Sequence, residues 1–190
     1  MGISGFSPTF LVGIDAVRQQ HAARLAALVG RRLTGFAVVR FAEDGDWFAD
    51  CPVVLDFDGV RVEVCHSRLH DLSIGWGTID TASAVSGWEH SELTPEWSHR
   101  DDRLEPFVGR DLRGVALVER RPQSGRCYLD VGTVGVEFDF GDDFGTDDGG
   151  HRAPRRLRIV NALDENGIEL GEPAPDSVRH ELGGPRGGGA

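Results

Sequence analysis

The segment from Cys65 to Asp71 carries the residue types that bind transition metals. Cys65, His66, His70 and Asp71 offer a thiolate, two imidazoles and a carboxylate, and Zn²⁺ accepts all of these ligands in proteins. The two histidines are four residues apart, a spacing that places both rings on one face if the segment is helical. The segment follows a predicted strand, however, and is expected to form only a short turn. We name Cys65, His66 and His70 as candidate metal ligands, with incidental histidines at a strand end as the alternative.

A second group of candidate ligands lies in the acidic, glycine-rich stretch 141–150. Asp142, Asp143, Asp147 and Asp148 offer hard oxygen ligands for Ca²⁺ or Mg²⁺. The stretch lacks the alternating Asp positions and the final Glu of an EF-hand loop. A solvated hairpin loop is the alternative. We expect no cofactor unless one of these two segments holds a divalent metal.

Three tryptophans, Trp76, Trp88 and Trp97, fall at the end of a predicted strand or in the long connection 81–106. Tryptophan is enriched at binding hot spots and also occurs at the margins of hydrophobic cores. We name these three as candidate binding residues, with packing at the core edge as the alternative.

The sequence contains no signature of covalent or general acid–base catalysis. All 20 basic residues are Arg, which excludes Schiff-base chemistry, a lysine base and the lysine of a phosphate-binding loop. There is no G-x-S-x-G nucleophile motif. Paired carboxylates such as Asp56 and Asp58 occur throughout so acidic a chain and do not by themselves indicate a site. The sequence therefore favours a protein without catalytic activity.

The chain is strongly acidic, with 31 Asp and Glu residues against 20 Arg and a formal net charge of -11. This charge repels phosphate backbones and anionic lipids, so we expect neither nucleic acid nor a membrane as a partner, whereas a basic protein is compatible with it. No run approaches the ~18 apolar residues of a transmembrane helix. Cys51, Cys65 and Cys127 are an odd number at wide spacing, which predicts reduced thiols and a cytoplasmic protein.

One helix and a series of short strands must position these residues. Residues 15–29 carry apolar side chains three or four apart, which predicts an amphipathic helix with Asp15 as its N-cap. His21 lies on the apolar stripe, where packing is its expected role. Beyond the helix the apolar period changes to two, which predicts antiparallel strands. Asp58 and Gly59, between two such strands, are the strongest hairpin signal in the chain.

Two stretches of the chain, 28–41 and 107–120, share seven of 14 positions at a constant offset of 79 residues. In the first stretch the shared positions are Val29, Gly30, Arg31, Leu33, Gly35, Ala37 and Val39. Residues 53–59 and 134–141 extend the resemblance less tightly. Self-similarity of this density predicts an internal duplication.

We therefore predict an α+β, β-rich fold in which an N-terminal helix precedes two related antiparallel β-meanders that form a pseudo-twofold barrel or sandwich. Residues 1–171 are expected to form a single domain. It comprises a first repeat at 28–80, a crossover at 81–106 and a second repeat at 107–171. The chain then turns to Pro, Gly and charge, which predicts a disordered tail over 172–190.

Four runs of sequence carry a resemblance to a known group of proteins. They are LVGRRL at 28–33, DWFADCPVVLDF at 46–57, DLSIGWGTID at 71–80 and NALDENGI at 161–168. Together they resemble a group of uncharacterised actinobacterial proteins over about residues 28–171. The resemblance implies a cytosolic protein of actinobacterial origin and brings no activity or site with it.

Three functions are compatible with these features. The first, which we favour, is a non-catalytic, acidic protein-binding module of inhibitor or immunity type, because of the net charge, the tryptophans and the missing catalytic motifs. The second is a metal-dependent enzyme that uses the segment from Cys65 to His70 or the loop from Asp142 to Asp148. The third is a small-ligand site at the interface between the repeats, since ligands often bind between structural units.

Overall fold

The computed structural model describes residues 2–121, 132–141 and 154–183. Over these residues the chain forms one α-helix and two antiparallel sheets, which confirms the predicted β-rich α+β class. The α-helix α1 spans Ile14–Ala26, and a 3-10 helix spans Glu105–Phe107. The strands are β1 (Leu11–Val12), β2 (Leu33–Phe41), β3 (Val53–Phe57), β4 (Val60–Ser67), β5 (Asp71–Gly75), β6 (Pro95–Ser98), β7 (Gly114–Arg120), β8 (Val134–Asp139), β9 (Arg156–Asn161), β10 (Asn166–Leu170) and β11 (Ser177–Gly183).

Helix α1 packs one face against the core, as its apolar stripe predicts. Val17, His21 and Leu25 are its buried residues. The predicted N-cap was wrong: the helix begins after Gly13, whose φ of 81° favours glycine, and Asp15 lies in the first turn. No helix in the described part of the chain is long and apolar enough to cross a membrane.

The first sheet has six strands in the order β1-β5-β4-β3-β2-β6. Asp58 and Gly59 have φ angles of 49° and 80° and make the predicted tight turn between β3 and β4. The connection 81–106 was predicted to be a loop, but Pro95–Ser98 in it pair with β2 as strand β6. The sequence pattern hides this strand because it is short and begins with proline. Its pairing satisfies backbone groups on the edge of β2.

The second sheet has five strands in the order β10-β9-β8-β7-β11. The prediction of a disordered tail was wrong for residues 177–183, because they form β11 and pair with β7. Composition misled here: the segment is mostly polar, but its backbone hydrogen-bonds to the edge of β7, and Leu182 packs against the main core. Residues 184–190 lie outside the described residues.

The two sheets pack face to face around the main hydrophobic core, in the manner of a sandwich. Phe57 of the first sheet stacks on Phe138 of the second with ring centroids 5.5 Å apart, and both side chains are fully buried. Leu25 and Leu28, at the end of α1 and just beyond it, join the same cluster. Side chains from both halves of the chain therefore share one packed core.

The outer face of the first sheet carries a second, smaller core. Ala37 and Val39 of β2 and Val54 of β3 are covered there by Ile3 and Ile79. The N-terminal segment and the chain after β5 thus cross this face of the sheet. Because they cover only part of it, the remainder of the face stays open to solvent.

The two matched stretches hydrogen-bond to each other around a bridge between Arg32 and Asp111, which are 79 residues apart. The backbone bonds run from Gly30 to Leu112, from Gly109 to Leu33, from Leu112 to Arg31 and from Leu33 to Arg110, at 2.7 to 2.9 Å. Each residue of one stretch corresponds to the residue 79 positions away in the other stretch. If every residue is replaced by its counterpart, the first bond becomes the second and the third becomes the fourth. This local exchange is what a duplication would give, and a twofold axis relating the whole sheets stays a prediction.

Candidate functional site

A pocket of about 370 Å³ opens on the outer face of the first sheet, beside the second core. Its volume lies at the lower end of the ~300–1,000 Å³ that is typical of small-molecule sites. The lining residues are Thr34, Gly35, Phe36, Ala37, Val54, Asp56, Arg61, Thr81, His99 and Val108. Only Val108 belongs to the second repeat, so this pocket does not lie between the repeats, where we expected a ligand site.

The floor of this pocket is made of small side chains on β2 and β3. Gly35 and Ala37 lie on the same face of β2, and Val54 pairs with Ala37 across the ladder. A Cβ atom added at Gly35 would meet no heavy atom within 4 Å. The glycine therefore leaves space above the strand, and Val108, which is 41% exposed, adds apolar surface that a ligand can reach.

Asp56 and Arg61 form one wall, and they face each other across the β3–β4 hairpin. Asp56 is firmly held: its Oδ1 accepts a hydrogen bond from Gly59 N–H at 2.7 Å and one from the Thr34 hydroxyl at 3.1 Å. Arg61 is held only loosely. Its Nε lies 3.5 Å from Asp56 Oδ2, and its Nη1 lies 3.5 Å from the Ile79 carbonyl oxygen. Both contacts are at the long limit for a hydrogen bond, so this guanidinium can donate to a ligand.

His99 stands at the rim of the same pocket with one ring nitrogen fixed. Its Nδ1 lies 2.7 Å from the Phe36 carbonyl oxygen, which can only accept, so Nδ1 carries the proton and donates. In the neutral ring, Nε2 is then a hydrogen-bond acceptor. The pocket therefore combines an apolar floor with a cationic donor on one side and an imidazole acceptor on another.

The three candidate metal ligands are not brought together. Cys65 and His66 lie inside β4 and not in the turn that we expected, so their side chains point to opposite faces of the sheet. His70 is exposed beyond the end of the strand. Throughout residues 2–121, 132–141 and 154–183, no three His, Cys, Asp or Glu side chains are grouped as a metal ion requires.

His66 instead joins the two sheets. Its Nε2 lies 3.0 Å from the Val134 carbonyl oxygen, and its Nδ1 lies 3.0 Å from Asn166 Oδ1. The Asn166 amide is held in turn by the carbonyl oxygens of Ala49 and Cys51. Burial lowers the pKa of His66 more than its two oxygen neighbours raise it. The ring is therefore a structural contact between β4 and the second sheet, and in its neutral form it donates to one of these two oxygens at a time.

Cys51 and Cys65 are buried, and burial raises the pKa of each thiol to about 12. A thiol that stays protonated is a poor nucleophile and a poor metal ligand. Cys127 lies outside the described residues. So does the acidic loop with its four candidate Ca²⁺ or Mg²⁺ ligands, Asp142, Asp143, Asp147 and Asp148.

The three candidate tryptophans occupy two different environments. Trp88 and Trp97 are half-buried and pack against the second core. Trp88 also meets the ring of Phe48 edge-on, with centroids 5.3 Å apart. Trp76 lies apart from them, where its indole N–H donates to His21 Nδ1 at 3.3 Å and the Arg24 guanidinium covers its ring at 4.5 Å. The three therefore do not form one aromatic surface.

Sequence reasoning did not select Asp56, Arg61 or His99. A usable signal was present, since the two-residue turn at Asp58 and Gly59 fixes the register of the hairpin and so sets Asp56 opposite Arg61. No comparable signal exists for His99, because its place at the pocket depends on the crossover folding back onto β2.

In comparisons with protein-family models, curated proteins and solved structures, nothing matched this chain. The resemblance to actinobacterial proteins stays a prediction. The chemistry of the pocket around Arg61 is therefore the feature that indicates a function.

Proposed function

We propose that the protein binds a small organic acid in the pocket around Arg61. The observation that carries this proposal is the open apolar floor at Gly35 beside a guanidinium with two long contacts. The apolar body of the ligand covers the floor, and its carboxylate accepts two parallel N–H bonds from Arg61. A ligand hydroxyl or amide N–H would find its acceptor at His99 Nε2.

The contacts that Arg61 already makes are weak enough to be replaced. The side chain is 42% exposed, and its ion pair with Asp56 is 3.5 Å long. Exposed pairs of this kind contribute at most about 1 kcal/mol. A bidentate carboxylate at ~2.8 Å is a stronger partner, so ligand binding improves the hydrogen bonding of Arg61.

The acidic net charge opposes anion binding only weakly at this site. Charges farther away than about 8 Å are screened at physiological ionic strength, so the groups next to the ligand decide. Asp56 is such a group, and its carboxylate limits the affinity for an anion. We therefore expect a dissociation constant of about 0.1–1 mM for a simple alkyl acid.

The test is a titration of the full chain with pentanoate, followed by calorimetry and by NMR chemical shifts. Pentanol has the same chain without the charge and should bind at least about tenfold more weakly, a difference of about 1.4 kcal/mol. The variant R61Q should lose affinity for pentanoate by a similar factor. Equal binding of pentanoate and pentanol by the unaltered protein would contradict the proposal.

The matched control for R61Q is R18Q, which makes the same charge change at an exposed position on α1. If R18Q weakened pentanoate binding as much as R61Q, the effect would come from net charge and not from the pocket. We expect R18Q to bind pentanoate like the unaltered protein.

The second candidate function is the protein-binding module that we predicted from the sequence. It is supported by the net charge of -11 and by the exposed Glu89 and Glu92 that follow Trp88. Because Trp88 and Trp97 pack against the second core, their replacement by Ala is expected to lower stability before it affects any partner. A defined basic protein that co-elutes at fixed stoichiometry, with salt-dependent affinity, would support the module, and its absence would count against it.

A further inference from the structure

A second pocket, of about 190 Å³, lies on the same outer face of the first sheet, between α1, β5 and the N-terminal segment. It is smaller than a typical small-molecule site and has room for a group of only a few atoms. Glu63, Ser73 and Trp76 are among its lining residues. None of them lines the first pocket, so binding at the second pocket is independent of the function proposed for the first.

Glu63 brings a buried carboxylate to this pocket without a cationic partner. Only 2% of the residue is exposed. Its Oε1 accepts a hydrogen bond from Ile79 N–H at 2.7 Å, and its Oε2 accepts one from the Thr78 hydroxyl at 2.9 Å. No Arg or His in the described part of the chain forms an ion pair with it. Two hydrogen bonds use about half of the acceptor capacity of a carboxylate, so Glu63 can accept further donors from the pocket.

The backbone is shaped to make room for this carboxylate. A Cβ atom added at Gly75, on the neighbouring strand, would lie 2.2 Å from Glu63 Oε2. Glycine is therefore the residue that lets the side chain lie flat against β5. Burying a carboxylate in this way without a cation is costly, and a positively charged ligand relieves that cost.

The remaining walls suit the apolar part of such a ligand and the N–H groups of its charged end. Phe6 and Trp76 provide aromatic surface, and the hydroxyl groups of Thr9 and Ser73 can accept hydrogen bonds. His21 is fixed as a neutral ring. Burial and the charge of Arg24 lower its pKa, and the bond from Trp76 N–H to Nδ1 leaves its proton on Nε2. His21 therefore brings no positive charge of its own to the pocket.

We propose that this second pocket binds the primary ammonium group of a small organic amine. The three ammonium N–H donors pair with Glu63 and the neighbouring hydroxyl groups, and a short alkyl chain lies along Phe6 and Trp76. A divalent metal fits less well, because one carboxylate with hydroxyl groups supplies too few anionic oxygens for Ca²⁺ or Mg²⁺. The acidic net charge of the chain favours the approach of a cation.

The test is a titration of the full chain with n-propylammonium chloride, followed by calorimetry and by the indole N–H resonance of Trp76. We expect a dissociation constant of about 1–10 mM, as suits so small a ligand. n-Propanol, which has the same size and no charge, should bind at least about tenfold more weakly. Equal binding of the amine and the alcohol, or no shift of the Trp76 resonance with the amine, would overturn the proposal.

The variant E63Q keeps the shape of the side chain and removes its charge. It should weaken n-propylammonium binding at least about tenfold, whereas the matched change E105Q at an exposed glutamate should leave it unchanged. Retention of full affinity in E63Q would place the ammonium elsewhere and refute the assignment. Should E63Q fail to fold, the comparison of amine with alcohol on the unaltered protein decides the question.

Discussion

The two sheets contain the same cross-strand row on their outer faces and use it differently. In the first sheet Gly35 pairs with Asp56 and Asp56 with Arg61. In the second sheet Gly114 pairs with Asp139 and Asp139 with Arg156. The first row borders a pocket, and its ion pair is long and part-exposed. In the second row, Asp139 is buried. It and Glu137, two residues before it on β8, form ion pairs with several arginines.

The arginines around the second row make it a structural element. Arg155 approaches Asp139 at 3.0 Å and Arg156 at 3.5 Å, and Arg158 pairs with Glu137 at 3.4 Å. Arg179 of β11 pairs with Glu137 as well. Burial alone would raise the pKa of Asp139, but the hydrogen bonds from Arg155 and from Gly141 N–H hold it below its ordinary value. A polar row on a sheet is available to a ligand only where its charges are incompletely paired.

The largest difference between the rows should appear when each carboxylate is neutralised. D139N removes a buried carboxylate that Arg155, Arg156 and Arg179 share, and the loss of its charge-assisted hydrogen bonds should lower the free energy of unfolding by about 1.5–3 kcal/mol. D56N makes the same chemical change in a part-exposed pair and should cost at most about 1 kcal/mol. Denaturant unfolding of both variants measures the difference. Similar losses in the two variants would show that the rows are not distinct in the way we describe.

A smaller difference should appear when a side chain is added to a glycine of each sheet. A Cβ atom at Gly135 would lie 2.8 Å from the Ile159 carbonyl oxygen, so G135V should cost about 1–3 kcal/mol. At Gly35 the space is open, so G35V should change stability by less than about 1 kcal/mol.

G35V also tests the function of the first pocket, because its side chain would fill the floor there. We expect it to abolish pentanoate binding in a protein of normal stability, and the same denaturant and calorimetric measurements check both points. A G35V protein that is stable and still binds pentanoate would mean that the ligand does not use this floor.

The smallest expected effect is a pH dependence of stability caused by His66, which joins the two sheets. Burial holds the pKa of His66 below 6.5, so the unfolded chain takes up a proton in acid before the folded chain does. Stability is therefore complete above about pH 6.5 and falls as the pH decreases, by up to about 1.4 kcal/mol per pH unit for each such histidine. His21, whose pKa is also lowered, contributes in the same direction.

Unfolding free energies at about pH 7.5 and about pH 5.5 measure this loss, and H66Q and H21Q should each remove their own part of it. A pH dependence left unchanged by H66Q would mean that the ring is not neutral in the folded protein.

Patterns of local origin were predictable from the sequence. The buried stripe of α1, the alternation of β2 and the turn at Asp58 and Gly59 all follow from backbone preferences or apolar period, and they were confirmed. The strands β6 and β11 were missed, because each is short or polar and is held mainly by the edge strand that it joins. Cys65, His66 and His70 are not brought together for a related reason: β4 extends through His66, so Cys65 and His66 point apart.

The position of Asp56 opposite Arg61 follows from local sequence, because a two-residue turn fixes the hairpin register through the backbone angles of Asp58 and Gly59. Long-range packing, in contrast, leaves this row open and encloses the row of Asp139. Arg179, which pairs with the Asp139 row, comes from a strand about 40 residues away in the chain. The physical reason is that register is a local property of a hairpin, whereas burial and charge pairing depend on which distant segments come to cover a face.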